Sequence, residues 1–364
     1  MNFDVVVVGA GVAGCASALE FLSAGLRVAV LEREGEASWY ESVSPEATRA
    51  LSLLGVENDC DSVEVMAWWG SREPMHARYP GAQVTERAAL AAALRKCAEE
   101  RGAVAFKSPQ LPRVRRIGKR WQLEDSITGV EFDAAYLIDA TGRAAALGHH
   151  FGARRENVAS LFAISANVSH PGVSGVWSES TSEGWWNFCG LSEQGTISFF
   201  SDAPGIREAK EDLAAHFDRT EHLQKLVKAS QFSSFSVRPC GSSFLVPCAG
   251  EGWFAVGDAA WTVEPLASAG IAKAFPDGGL VRRFLDQRSS QFDHLQRRRF
   301  ESYLKQLVKQ YSIERRWMSA RFWHRRFSGP GERRFGPNDG DIILRPAPES
   351  FPAKGTHPTA APMP

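Results

Sequence analysis

Three glycines in Gly9-Ala10-Gly11-Val12-Ala13-Gly14 stand where a chain can turn from a strand into a helix around a phosphate group. The run Phe3–Val8 before them is short and apolar, and reads as a strand buried on both faces. Residues Gly11–Ala24 have helical character, with Gly25 placed to end the helix. A second buried strand, Leu26–Leu31, completes a β-α-β unit and leaves Glu32 at its tip, followed by Arg33. In that setting Gly9 permits the tight turn, Gly11 lets the backbone approach a pyrophosphate, and Gly14 lets helix and strand pack. The helix start at Val12 and Ala13 offers free N–H groups and a positive dipole end to the phosphates. Glu32 can accept from ribose hydroxyls and disfavours a 2′-phosphate.

NAD and FAD both use such a turn, so it does not separate them. A second feature does. Asp139-Ala140-Thr141-Gly142 and Val256-Gly257-Asp258-Ala259-Ala260 both follow short apolar strands, Tyr136–Asp139 and Phe254–Val256. An FAD lying across the sheet needs a ribityl contact about 15 Å from the adenine ribose, and Asp258 is the candidate. Pro265–Gly270 then pass beside the flavin ring, where N–H groups opening the next helix near Gly270 stabilise negative charge. No second G-x-G-x-x-G occurs in a strand–turn–helix setting, so a dedicated nicotinamide domain is not expected.

Several further elements must position these residues. Arg87–Arg101 is a strong Ala-rich helix closed by Gly102. Leu161–Ala203 reads as strands with clustered aromatics, among them Trp177, Trp185, Trp186, Phe188, Phe199 and Phe200. Glu208–Lys228 reads as helix, and a last long helix is expected from Phe292 to about Phe327. Its stripe of Phe300, Tyr303, Leu304, Leu307, Val308 and Tyr311 opposes a face of Arg297, Arg298, Arg299, Lys305, Lys309, Arg315, Arg316, Arg325 and Arg326. That basic face is either solvated or a docking surface for an acidic protein. Beyond Gly329 the chain turns rich in Pro, Ala, Thr and Ser, a composition expected to leave it partly disordered.

The 364 residues, 44% hydrophobic, suffice for about two domains and exclude global disorder. With 42 basic and 42 acidic side chains, nucleic acid is not an expected partner. No apolar run is long enough to span a membrane. The six scattered cysteines and the absence of a leader pattern point to a reduced, cytoplasmic protein. No metal site is expected, and His149-His150 reads as solvated loop.

Together, GAGVAG with Glu32-Arg33, Thr85-Glu86-Arg87, DATGR (139–143) and GDAAWTVEPLASAGIAKAF (257–275) resemble the FAD-dependent monooxygenases of the p-hydroxybenzoate-hydroxylase fold. ESVSPEATRALSLLGV (41–56) is similar to a segment of the tryptophan-halogenase group. EGWWNFCGL (183–191), SFFSDA (198–203) and YSIERRWMSARFWHRRF (311–327) resemble a subgroup of it, the flavoproteins that mature tryptophylquinone cofactors by oxygenating a tryptophan of a partner enzyme. The resemblance covers the chain to about residue 327. It departs at three places. Ala267 occupies the position of the halogenase glutamate, the W-x-W-x-I-P signature is absent, and no lysine lies between Glu32 and Arg95.

The resemblance implies an α/β fold: a Rossmann-like FAD-binding domain interleaved with a mainly antiparallel β-sheet substrate domain, plus a C-terminal helical segment. FAD-binding parts fall at 1–60, 86–155 and 241–290, with substrate-domain parts at 61–85 and 156–240. A C-terminal helical region covers 291–328 and a Pro-rich tail 329–364. Ser42, Arg87, Ser268 and Ala269 join Gly9, Gly11, Val12, Ala13, Gly14, Glu32, Arg33, Gly257, Asp258, Pro265 and Gly270 as implied cofactor contacts. The implied reaction is hydroxylation of a tryptophan in a partner polypeptide through a flavin C4a-hydroperoxide. O2 is co-substrate, and NAD(P)H or a separate flavin reductase supplies electrons. Oxygenation of a free small aromatic molecule and a non-oxygenating reductase or dehydrogenase stay open. Trp185, Trp186 and Phe188 are candidates for the pocket wall, equally readable as sheet core. Glu264 is a candidate base or substrate-orienting group, equally readable as a turn cap.

Overall fold

Four β-branched residues in a row, Val5–Val8, lie at 6% exposure or less because strands pair on both sides of them and helix Val12–Ser23 packs against them. The computed structural model describes residues 1–33, 39–56, 63–78, 83–158, 160–285 and 289–328. The expected Pro-rich tail and Cys60 lie outside them. Strand Asn2–Val8 lies inside an eight-stranded sheet whose run Trp253–Ala255, Glu131–Asp139, Asn2–Val8, Val28–Glu32, Val104–Lys107 is parallel. Ala249–Gly250, Arg113–Ile117 and Arg120–Glu124 are added antiparallel. Register brings Val8 beside both Asp139 and Leu31, and Asp139 beside Ala255. The glycine turn, Glu32, Asp139 and Gly257 therefore gather at one edge, the carboxyl end where open α/β sheets bind ligands.

The second sheet has the order Phe232–Pro239, Phe162–Ser169, Gln194–Ser201, Gly184–Gly190, Gly175–Thr181, Glu64–Trp68, Met75–Arg78. It is antiparallel except where Gly175–Thr181 runs parallel to Glu64–Trp68. Two small ladders, Tyr40–Val43 with Gln83–Glu86 and Arg154–Asn157 with Ser243–Val246, form sheets of their own. The fold is the expected α/β combination of a parallel nucleotide-binding sheet, a mainly antiparallel second sheet and C-terminal helices.

Two expected helices break. In place of one helix over Glu208–Lys228 there are Ala203–Glu211, Leu213–Phe217 and Leu223–Leu226. Asp212 takes an extended conformation, and its carboxylate accepts the Ala215 N–H at 2.9 Å, starting a new helix. Farther on, the buried Glu179 carboxylate accepts the N–H groups of Glu221, His222 and Leu223 at 2.6, 3.0 and 2.8 Å. The last helix runs Ser289–Ile313, and Arg321–Ser328 forms a separate one. Glu314 ends the first because its carboxylate turns inward to the Gly70 N–H at 2.7 Å, Ser180 at 2.5 Å and Arg316 at 2.7 Å. The stripe Phe300, Tyr303, Leu304, Leu307 and Tyr311 is buried as its spacing predicts. Each such side chain contributes roughly 1.5–3 kcal/mol on removal from water.

Candidate functional site

At the carboxyl edge of the parallel sheet the three glycines take different environments. A Cβ on Gly9 (φ +114°) would lie 2.3 Å from the Ala140 carbonyl oxygen, and one on Gly14 would lie 1.9 Å from that of Gly9. Both positions are closed by backbone. A Cβ on Gly11 meets nothing within 4 Å, so this glycine borders open space at the start of helix Val12–Ser23. No side chain caps that helix, leaving its first turn at Val12 and Ala13 for a ligand anion. Glu32 ends the neighbouring strand and pairs with Arg95, an orienting contact absent from the sequence reading. Arg33 is exposed beside it.

Gly257 opens a short 3-10 turn, Gly257–Ala259, at φ +56°. Its N–H donates to Asp277 at 2.7 Å, and a Cβ there would strike Ala13 at 2.4 Å. Next to it the Asp258 carboxylate reaches Lys273 Nζ at 3.2 Å. Lys273 also donates to the Trp261 carbonyl oxygen at 2.7 Å and lies 4.6 Å from the Trp261 ring centre. Burial would raise the Asp258 carboxyl, but Lys273, then Arg143 and Arg87, outweigh it and hold the group below the usual carboxylate range. Asp139, by contrast, is spent within its own turn, accepting from Thr141 N–H at 3.0 Å, Thr141 Oγ1 at 2.6 Å and Gly148 N–H at 2.8 Å. Of the two strand-end acids, Asp258 is the one whose side chain remains partly open, at 39%.

Ser42 and Ser268, far apart in sequence, meet through their hydroxyls at 3.2 Å. Ser268 follows the turn Pro265–Ala267 in the left-handed conformation (φ +45°), and Pro265, Ser268 and Gly270 are exposed with Ala269 half-buried. Arg87 donates to Glu41 at 2.8 Å and lies under the Trp39 ring at 5.3 Å. The residues present fit FAD: an open glycine at an uncapped helix start, an oriented carboxylate, and a loop of exposed backbone on one cleft.

Glu264 is fully buried. Its carboxylate receives Tyr311 Oη at 2.7 Å and pairs with Arg326, and its N–H donates to Tyr303 Oη at 2.7 Å. Burial pushes the Tyr311 phenol well up. This arrangement clamps the C-terminal helices to the Pro265–Gly270 loop. Arg299 and Arg316 of the basic face likewise pair inward, with Asp277 and Glu314. The expectation of one continuous solvent-facing basic helix is corrected by these three ion pairs, which draw Arg299, Arg316 and Arg326 to buried acids.

Trp185 and Trp186 face opposite sides of their strand. Trp185 stacks on Phe200 at 5.1 Å and meets Trp69 and Tyr311 at 6.0 and 5.8 Å. Trp186 and Phe188 lie in the outer layer, where Trp186 packs on Phe217 and Phe199. All three are at most 1% exposed. His149 and His150 end a short helix, Ala146–His150, instead of lying in a loop. Among the described residues no metal-ligating cluster occurs and every cysteine is a free thiol. No helix among them is long and apolar enough to cross a membrane. Lys273 and Arg95 are the residues that sequence reasoning missed, and it took Arg326 only as part of a basic face; the lone lysine in the apolar stretch Gly270–Phe275 was a signal.

Fold and cleft define an FAD-dependent oxidoreductase architecture. The profile of the family described as FAD dependent oxidoreductase matches residues 4–45, which hold the glycine turn, Glu32 and Ser42. Solved structures then extend the likeness over most of the chain. Peptidyl tryptophan dihydroxylase QhpG, essential for tryptophylquinone cofactor biogenesis, matches with TM-score 0.74 and 21% identity, over 89% of this chain and 78% of that one. The myxobacterial chondrochloren halogenase CndH matches with TM-score 0.73 and 20% identity, over 89% and 85%. p-Nitrophenol 4-monooxygenase PnpA from Pseudomonas putida matches with TM-score 0.66 and 16% identity, over 80% and 83%. The fold is that of FAD-dependent halogenases and monooxygenases. No curated protein sequence matches the chain.

Proposed function

We propose that this protein is a cytoplasmic FAD-dependent monooxygenase that hydroxylates a tryptophan side chain of a partner polypeptide. When bound, FAD supplies the activation of O2, with electrons from NAD(P)H or a separate flavin reductase. One oxygen atom enters the substrate ring and the other leaves as water. The protein's residues hold and orient. The Gly11 turn and the first turn of helix Val12–Ser23 take the pyrophosphate, Glu32 the adenosine ribose, and Asp258 the ribityl hydroxyls. The exposed backbone of Pro265–Gly270, with Ser42 against Ser268, borders the ring, while Trp185 and its aromatic neighbours keep water from the cleft.

The observation that carries oxygen transfer over halogenation is the commitment of Glu264 to Arg326 and Tyr311. Ala267 stands where tryptophan halogenases have their catalytic glutamate, so this loop offers no free carboxylic acid in that role. A polypeptide substrate is supported by the likeness to a peptidyl tryptophan dihydroxylase. The test is to reduce the flavoprotein without air and mix it rapidly with oxygenated buffer. A transient near-ultraviolet absorption before oxidised flavin returns is expected, together with oxygen insertion at a tryptophan of the partner by mass spectrometry. Direct return to oxidised flavin, with partner present, sinks the oxygenase in favour of a reductase or dehydrogenase.

A further inference from the structure

Strand Phe232–Pro239 is the outer edge of the second sheet, paired to Phe162–Ser169 on one side and to no strand among the described residues on the other. Open edges are normally blunted with charge, proline or a bulge. This strand carries a register shift opposite Ala166 and Asn167 and ends in Arg238-Pro239, but the exposed face between them is apolar. Here Phe235 and Val237, two residues apart and so on one face, are 53% and 44% exposed. Beside them an open groove of about 260 Å³ runs between the strand and helix Ala203–Glu211. Phe162, Ala203, Ile206 and Val237 line it, together with Arg207 and Lys210. No carboxylate pairs with either cation among the described residues, while the intervening Glu208 is taken by Arg219 at 3.3 Å. The groove is thus apolar with a positive border. At the groove end of the strand, Arg238, the residue after Val237, lies 4.3 Å over the Trp39 ring that also covers Arg87, a candidate cofactor contact.

We propose that this edge is the docking strand for the polypeptide substrate. An extended acidic segment adds to Phe235–Pro239 by main-chain hydrogen bonds and sets an apolar side chain into the groove. Its carboxylates meet Arg207 and Lys210. At about 3.3 Å per residue, a handful of paired residues carries the chain past Arg238 and delivers the next segment to the cleft. The docking site rests on the polypeptide reading above and specifies how such a substrate is gripped. A free small aromatic molecule has no use for it.

Panning a displayed library of random short peptides on the FAD-loaded protein tests the site. The expected binders carry alternating β-branched or aromatic residues flanked by Asp or Glu. Adding a selected peptide should slow amide exchange over Phe232–Pro239. Arg207→Glu with Lys210→Glu should weaken it about tenfold or more with FAD content and circular dichroism unchanged. Binders lacking acids, slowed exchange elsewhere, unchanged affinity in the double variant, or no binders at all would each overturn the proposal. So would protein-concentration-dependent protection of this strand with a dimer in sedimentation, which assigns the edge to a second copy. Peptide binding is read without turnover. A docking strand that binds on a protein that never oxygenates therefore refutes the proposed function and leaves the site standing.

Discussion

Lys273 lies beneath Asp258, its Nζ 3.2 Å from the carboxylate and 5% of its side chain exposed. A buried ammonium at this place orients the one open strand-end acid and keeps it ionised. Burial pulls the Lys273 pKa down, and Asp258 followed by Asp277 offset part of that pull. The pair therefore depends on both members.

Lys273→Met should weaken FAD binding about tenfold, roughly 1.4 kcal/mol. In the parent protein the depressed Asp258 carboxyl stays charged well below pH 5, so affinity should be flat from about pH 8 to 5. Without Lys273 less opposes the upward pull of burial on that carboxyl, with Arg143 and Arg87 still holding it down, so affinity should fall more in the variant than in the parent as pH is lowered. Flavin fluorescence titration across this range measures both effects. A variant with parent affinity and a flat profile removes Lys273 from the site.

Gly11 and Gly14 should separate cofactor binding from folding. Gly11→Val points its side chain into open space and should leave circular dichroism and melting of the apoprotein unchanged while abolishing bound flavin. Gly14→Ala drives a Cβ onto the Gly9 carbonyl and should cost about 1–3 kcal/mol or more in apoprotein stability. Flavin retained by Gly11→Val would falsify the placement of the pyrophosphate.

Arg326→Met leaves the buried Glu264 carboxylate without its cation and should cost about 3–5 kcal/mol. Adding Glu264→Leu should recover most of that loss, because an apolar pair replaces an uncompensated charge. Urea unfolding of both single variants and the double variant closes the cycle. Losses that simply add show the two side chains to be uncoupled.

His216 packs between Phe199 and Trp186 at 4.5 and 5.9 Å, with no partner among the described residues for either ring nitrogen. Burial first, and Arg219 second, lower its pKa. The unfolded chain then binds the proton more readily than the folded one, so stability declines as pH falls below about 6.5. Denaturation midpoints between about pH 7.5 and 5 should show this slope, and His216→Phe should flatten it. An equal slope in the variant assigns the decline to other groups.

Much of the geometry of the candidate cleft was legible because its signals are local. The glycine turn, Glu32 and Gly257-Asp258 each sit at the end of a short apolar strand, and a parallel sheet brings such ends together by register. The helix over Glu208–Lys228 and the single last helix were misread for the opposite reason. One interruption, at Asp212, is a local cap on Ala215; the others come from Glu179 and Glu314, acids whose carboxylates bind backbone far away in sequence.

Sequence alone determined the β-α-β turn and the strand ends that carry Glu32, Asp139 and Asp258, since each follows from backbone geometry and local spacing. That Trp185 and Trp186, both candidates for the pocket wall, part to opposite sides of their strand is shown by the structure. Tertiary structure decided which acids are free. Asp139, Glu264 and Asp258 look alike as sequence, but Asp139 is spent on Thr141 and Gly148 of its own turn, and Glu264 is locked in the interior by Tyr311 and Arg326 brought from elsewhere. Asp258 is held on Lys273 at the cleft. Buried ionisable groups must find a counter-charge or a donor, and which of them find it internally depends on contacts no local pattern encodes.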